Sequence, residues 1–563
     1  MNGLHCDLLV IGSGASGLCA AVTAAHAGLK VVLVEKEPVF GGATAWSGGW
    51  MWVPGNPLAR RAGIHEDPEQ PRTYLKHELG HRYDASKVNA FLDQCGPMVA
   101  FFEAHTALQF VDGNAIPDIH GHVPGAGTQG HQVAAAPFDG REVGPLIRRL
   151  RTTMRETAFM GMPIMAGADL GAFLSMTRSL KSLAHVTRRV SRHLLDLCVH
   201  GRAMQLVNGV ALVARLAKSA EQAGVQLIES APARRLLIEN GAVCGAVVAQ
   251  AGGEIEIRAT RGVVLATGGF PNDFQRRQAV FPRAPTEEAH LALPPRSCSG
   301  DGIALGESAG GRLVTDLASP VAWAPVSRVR HADGHIGHFP HIIDRAKPGL
   351  IGVLANGQRF VNEADGYYDY TAAMVAAVPP GQEVASWLIC DHRFQRRYGL
   401  GFAKPFPLPL ARHLRSGYLQ RGASIQALAT ACGISPEGLM ETVSIFNTHA
   451  RRGEDPVFGR GSTPYNRRQG DPLHAPNPCV APIEHGPFYA VKVLPGSFAT
   501  FAGLKTNASA QVLGEGDQPI PGLYAVGTDM ASIMGGVYPS GGINLGPAMT
   551  FGYIAARHAA GLG

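Results

Sequence analysis

A chain of 563 residues lies beyond the size at which a single hydrophobic core stops growing, so two lobes are expected. Hydrophobic residues at 45% and charged residues at 17% exclude a disordered chain, and 70 glycines with 39 prolines announce many tight turns. The net charge of +6 is spread along the length rather than massed in a tail, which argues against a nucleic-acid partner.

From the N-terminus, Met1 to Asp7 run directly into an apolar segment and leave no room for a signal peptide. No apolar run reaches membrane-spanning length, because Arg, Lys, Glu or clustered Gly interrupt each one. The 9 cysteines include no CxxC pair and read as reduced thiols, so a cytoplasmic protein is expected; peripheral membrane contact is left open but not indicated.

Asp7 to Ile11 suit a buried parallel strand, Gly12-Ser13-Gly14-Ala15-Ser16-Gly17 turns it into an Ala-rich helix ending near Gly28, and Lys30 to Glu35 form a second strand. This is a βαβ opening of the doubly wound kind with GxGxxG spacing at Gly12, Gly14 and Gly17. The glycines allow a tight turn, close approach of a pyrophosphate and close helix packing, while the helix N-terminus offers free N–H groups. Glu35, followed by Lys36, ends the second strand where a carboxylate can accept hydrogen bonds from ribose hydroxyls. A second loop of small residues, Gly41-Gly42-Ala43-Thr44-Ala45-Trp46-Ser47-Gly48-Gly49, can lie against a large cofactor.

The stretch 152–203 carries Arg178, Lys181, Arg188, Arg189 and Arg192 on a mixed helical pattern and reads as a solvated helical excursion. Beyond it, 209–224 is a helix, 226–229 a strand, 234–250 a hairpin around Asn240-Gly241, and 262–269 a further buried strand ending in glycines. From 272 to 484 the βαβ rhythm is lost and Pro, His and aromatic residues increase, which predicts an inserted lobe covering the cofactor. The first lobe then resumes over 485–563, with a last strand at 522–529 and a closing helix at 546–560. The expected fold class is therefore α/β, a Rossmann-like domain of the glutathione-reductase type (1–271 and 485–563) interrupted by an α+β substrate domain (272–484).

Several segments in chain order resemble the flavoprotein subunits of the fumarate reductase and succinate dehydrogenase superfamily. They are the N-terminal lobe, Ala266-Thr267-Gly268-Gly269, Ser299-Gly300-Asp301-Gly302, Gly357-Gln358-Arg359-Phe360-Val361-Asn362-Glu363, Gly527-Thr528-Asp529 and Gly541-Gly542-Ile543-Asn544-Leu545-Gly546. The resemblance implies FAD as cofactor. Positions 41–49 hold no His, the residue that tethers flavin covalently in some members, so non-covalent binding is implied. Ala266, Thr267, Gly268, Asp301, Asp529, Asn544 and Leu545 then join the cofactor set, with Asp301 and Asp529 serving turns or ribityl contacts and Arg359 a structural ion pair. A helix opening at Gly546-Pro547-Ala548 would turn its positive end toward the flavin pyrimidine.

Where fumarate reductases place a proton-donating Arg, four residues after Glu363, this chain has Tyr367. That substitution, with Tyr538-Pro539-Ser540-Gly541-Gly542, is similar to the 3-ketosteroid 1-dehydrogenase branch. The resemblance implies that Tyr538 and the Gly542 N–H hold a ketone oxygen. Tyr367, as tyrosinate or through a relay, removes an α-proton, while the β-hydrogen leaves as hydride. A supporting Tyr of that branch is missing from 117–125, where His120 or His122 could stand in, as could Tyr368. The spacing of His331, His335, His338 and His341 is too loose for a metal site.

The function expected is an FAD-dependent dehydrogenase desaturating a bond beside the carbonyl of a small hydrophobic cyclic ketone, such as a 3-oxosteroid. The alternative is reduction of an activated alkene, an enoate or enone. The external electron acceptor is not identified by the sequence.

Overall fold

A computed structural model describes residues 3–284 and 286–562; Met1 and Asn2 of the expected lead-in lie outside them. Leu8, Leu9 and Val10 put apolar side chains on both faces of the strand Leu4–Ile11, and all three are fully buried. Such a strand belongs inside a parallel sheet covered on both sides. It lies in an eight-stranded sheet whose main path runs Gln511–Leu513, Pro519–Ala525, Gly253–Leu265, Leu4–Ile11, Val31–Val34 and Gln226–Ile228. Every pairing from Pro519–Ala525 onward is parallel, with Leu9 opposite Val263 on one side and Val32 on the other.

The predicted βαβ opening is present, with the helix at Ala15–His26. At Gly12, φ is +108° and a Cβ would stand 2.2 Å from the Ala266 carbonyl oxygen; at Gly17 a Cβ would stand 2.0 Å from the Gly12 oxygen. Two strands and a helix therefore meet at a distance that only glycine permits. The hairpin also forms as expected, Ala233–Glu239 against Ala242–Gln250, with positive φ at both Asn240 and Gly241. Its continuation, Gly253–Leu265, starts earlier than the expected 262 and ends at Leu265, leaving Ala266–Gly269 to form a turn beside the first glycine loop.

A second, seven-stranded sheet has the main path Ile336–Pro340, Val321–Arg330, Phe488–Thr500, Ser386–Cys390 and Leu350–Val353. Phe488–Thr500 is its hub, and Leu291–Ala292 and Gln420–Gly422 also pair with it. The second sheet thus runs past the boundary expected at 485 and hands the chain back only after Thr500. Its partners lie up to about 200 residues away in sequence, so local pattern carries no trace of this pairing.

The excursion folds mainly as the helices Ala168–Ser175 and Leu180–His200. It is more than a solvated appendage: Val186 and Val190 turn inward and, with the more exposed Leu183, line the main cavity. Among the described residues, no helix is long and apolar enough to cross a membrane.

Candidate active site

Residues from both sheets and from the excursion enclose a cavity of about 1770 Å³. One end is built by the first lobe. Gly12, Ser13, Gly14, Ala15 and Ser16 line it, together with Glu35, Lys36, Gly42, Ala43, Thr44, Ser47, Gly48, Gly49, Ala266, Thr267, Gly268 and Asp301. Gly541, Gly542, Asn544 and Leu545 line it farther along. Neither Gly14 nor Asn544, the N-cap residues of the helices Ala15–His26 and Leu545–Ala559, caps its helix with a side chain. A Cβ on Gly541 would meet nothing within 4 Å. Uncapped helix ends and bare backbone suit a phosphate at one point and an anionic ring edge at the other.

Some of the expected cofactor residues do not line the cavity. Gly17 and Gly41 do not line the cavity: Gly17 packs the helix on the first strand, and the Gly41 N–H donates to Ser13 Oγ at 3.0 Å. Asp529 is buried away from the cavity, where its carboxylate accepts hydrogen bonds from Thr267 N–H, Thr267 Oγ1 and Gly269 N–H. It fixes the Ala266–Gly269 turn, one of the two roles expected for it. Glu35 reaches the cavity while accepting from Ser13 N and Oγ at 3.1 and 2.6 Å. Lys36 is paired with Asp301 at 2.6 Å, joining the second strand to the loop at 299–301.

Beyond Asn544 the lining becomes aromatic. Tyr367, the first residue of the helix Tyr367–Ala377, meets Tyr538 edge-on with ring centroids 5.0 Å apart, and Phe498 packs on Tyr367 at the same distance. All three line the cavity. The Tyr538 oxygen accepts a hydrogen bond from Asn544 Nδ2 at 3.2 Å and interacts with the Tyr367 hydroxyl. Burial pushes the Tyr538 phenol up to about 12 and the Tyr367 phenol well above its usual range, the latter reinforced by the neighbouring Tyr538 and Tyr465. Both are therefore neutral phenols at physiological pH. At Gly542, φ is +88° and a Cβ would lie 2.7 Å from Trp52 N, so the backbone runs past with no side chain between it and the cavity.

The other expected substrate contacts fall elsewhere. His122 is exposed, and neither it nor His120 lines the cavity. His120 bridges Glu78, 3.0 Å from both oxygens, and Asp369 at 3.2 Å. Its loop is clamped to the tyrosine loop: Ile119 N–H donates to the Pro539 carbonyl at 3.0 Å, and Tyr74 Oη to the same oxygen at 2.6 Å. Tyr368 likewise turns from the cavity and donates to the Gly536 carbonyl at 2.8 Å. Of the four histidines of 331–341, His331 and His335 stack with ring centroids 5.6 Å apart, while the partners differ, His331 being on Glu156, His338 on the Ala292 carbonyl and His341 on Asp344 and Ser327. Arg359 pairs with Glu363 and Asp455, each at 2.7 Å.

The family described as FAD binding domain matches residues 7–545. A 3-oxosteroid 1-dehydrogenase from Mycolicibacterium smegmatis is 33% identical over 99% of this chain and 97% of its own length. The chain belongs to the FAD-binding family of the 3-oxosteroid dehydrogenases. It is also 39% identical, over 99% of this chain and 94% of the relative, to a 4-oxocyclohex-2-ene-1-carboxylate 5-dehydrogenase from Sinomonas cyclohexanicum. A crystal structure of a 3-ketosteroid Δ1-dehydrogenase from Sterolibacterium denitrificans, in complex with 1,4-androstadiene-3,17-dione, covers 99% of both chains at a TM-score of 0.91 and 33% identity. A flavocytochrome c3 fumarate reductase shares the fold, with a TM-score of 0.62 over 99% of this chain and 78% of that one.

This flavoprotein is an FAD-dependent oxidoreductase acting on CH–CH bonds. Its homologues dehydrogenate cyclic ketones. Within the site, sequence reading passed over Tyr465. It is buried on the cavity wall, within electrostatic reach of Tyr367 and Tyr538, on the helix Pro464–Gln469. That helix packs where the supporting tyrosine was sought, since a Cβ on Gly121 would touch Pro464 Cδ at 3.4 Å. Nothing in Thr463-Pro464-Tyr465-Asn466 marks it locally beyond a helix start, because the approach is purely tertiary.

Proposed function

We propose that this enzyme desaturates the carbon–carbon bond α,β to the carbonyl of a cyclic ketone, a 3-oxosteroid or a smaller ring. The observation that carries the reading is the buried Tyr367–Tyr538 pair on the wall of the cavity that the glycine loop and Glu35 also line. Non-covalent FAD, held by the loops at 12–16, 42–49, 266–268 and 541–545, supplies the hydride acceptor when bound.

The residues divide the remaining work. Tyr538 already accepts from Asn544 and packs against the Tyr367 ring, so its own proton is free to be donated to the ketone oxygen, with the Gly542 N–H as second donor. Polarising that oxygen acidifies the neighbouring carbon. Tyr367 receives the α-proton as its own proton passes to Tyr538 and that of Tyr538 to the ketone, so neither phenol ionises. A relay of this kind suits phenols whose burial disfavours the tyrosinate. Loss of the β-hydride then returns the carbonyl proton to Tyr538, and one proton leaves for solvent. Tyr465 supports Tyr367 in place of the missing tyrosine.

The test is anaerobic titration of the yellow enzyme. Bleaching by a saturated cyclic ketone supports desaturation. Flavin that no ketone bleaches, but that an enone reoxidises once chemically reduced, would replace this reading with alkene reduction.

A further inference from the structure

One stretch of the cavity lining comes from 339–347, 398–408 and 467–472. Its lining there includes Lys347, Lys404, Arg467 and Arg468 against a single acid, Asp344. One oxygen of that carboxylate is committed, Oδ2 being held by His341 Nδ1 at 2.7 Å and by Gly401 N–H at 3.1 Å, while Oδ1 is buried without a hydrogen-bond partner. Lys347 is committed as well, donating to the Gln469 and Gly470 carbonyls, both at 2.7 Å.

Lys404 is different. Among the described residues its ammonium has no carboxylate and no hydrogen-bond acceptor; its neighbours are the rings of Phe339 and Phe402, 5.0 and 5.8 Å from the nitrogen. The side chain is half-buried and lines the cavity. Burial lowers its pKa to about 8, with Asp344 only partly opposing. A cation held this way, among aromatic faces and without a partner, costs the fold free energy that an arriving anion would relieve. Arg467 and Arg468 take part in no ion pair among the described residues, and they reinforce the positive sign of the wall.

We propose that Lys404 is an anion subsite that receives the carboxylate of a cyclic keto acid whose ketone is held by Tyr538. This rests on the desaturation reading for the ketone end. It commits this stretch of the wall to a negative charge, which an apolar sterol body alone would not use. The cavity exceeds the roughly 1,000 Å³ upper range of ordinary ligand sites, leaving room for an extended substrate beside the cofactor. The two aromatic rings shield the pair from water, so the contact is a charge-assisted hydrogen bond in a poorly solvated place.

The experiment uses the FAD-loaded enzyme and two acid and methyl-ester pairs: a 3-oxosteroid with a side-chain carboxylate, and 4-oxocyclohexanecarboxylate. Calorimetric binding and anaerobic bleaching are measured for the unmodified chain, Lys404→Met and Lys404→Arg. In at least one pair the acid should bind about 10-fold or more tightly than the ester, the worth of one charge-assisted hydrogen bond. Lys404→Met should abolish that preference while leaving ester binding within about 2-fold, and Lys404→Arg should retain it. Equal binding of acid and ester in both pairs, or an equal loss for both in Lys404→Met, overturns the subsite. Binding reads Lys404 whether or not the flavin bleaches; failure of every ketone to bleach it tells against the desaturation reading alone.

Discussion

Asn544 donates its side-chain amide to the phenol oxygen of Tyr538 at 3.2 Å, across the short loop that leads into the closing helix. The bond occupies an acceptor site on Tyr538 and leaves its proton as the part that can face a substrate. Removing that hydroxyl therefore tests the whole ketone grip. Tyr538→Phe should keep its FAD, since the cofactor loops are untouched, yet turn over about 100-fold or more slowly, the usual cost of one oxyanion donor. Near-normal turnover would take Tyr538 out of the mechanism.

Asn544→Ala should be milder. One oriented hydrogen bond is lost while the phenol stays, so kcat should fall by about 5-fold, in line with a contribution near 1 kcal/mol. FAD content must be checked by its visible absorbance, because Asn544 also lines the cavity. A fall as deep as that of Tyr538→Phe would mean that Asn544 acts on substrate directly.

Tyr465→Phe distinguishes the supporting role from simple packing. The ring remains, so stability should hold. The plot of kcat against pH should shift and the maximal rate drop by roughly 10-fold, if the hydroxyl assists proton transfer at Tyr367. An unchanged profile assigns Tyr465 to the wall alone.

The parts legible in sequence were those where one short segment contains its own explanation. The turn at Gly12 and the hairpin at Asn240-Gly241 each carry the needed residues side by side. What escaped was made by distant chain. Tyr465 reaches Tyr367 from almost 100 residues away, and Phe488–Thr500 joins strands that precede it by up to about 200. For Asp529 the turn and ribityl roles both stayed open, because motif spacing does not say which way a carboxylate points; its hydrogen bonds go to the Ala266–Gly269 turn. The excursion was read from its charges, whereas its inward face lines the cavity with Val186 and Val190.

Gly12→Ala tests the cofactor end independently of the tyrosines. Its Cβ would stand 2.2 Å from the Ala266 oxygen, a backbone atom that cannot swing aside, at a φ of +108° that side chains resist. The expected outcome is a colourless protein, or one that loses FAD on dialysis, with Tm lowered relative to the unmodified holoenzyme. Full retention of the yellow cofactor would move the dinucleotide away from this turn.

His120 gives a pH signature of stability. Burial alone would lower its pKa, but hydrogen bonds and charge from Asp369 and Glu78 outweigh burial and raise it to about 10, against about 6.5 for the unfolded chain. A folded-state pKa above the unfolded one means the contribution is fully present below about pH 6.5 and fades as pH climbs toward 10. Denaturant midpoints of the unmodified protein should therefore decline over that window more steeply than those of His120→Asn, the two curves converging at alkaline pH. Because Ile119 N–H and Tyr74 Oη hold the Pro539 carbonyl, loosening this cluster should also slow turnover without expelling FAD. Parallel curves for the two proteins across the window would show that His120 is neutral in the fold and that the Glu78 and Asp369 carboxylates are held by something else.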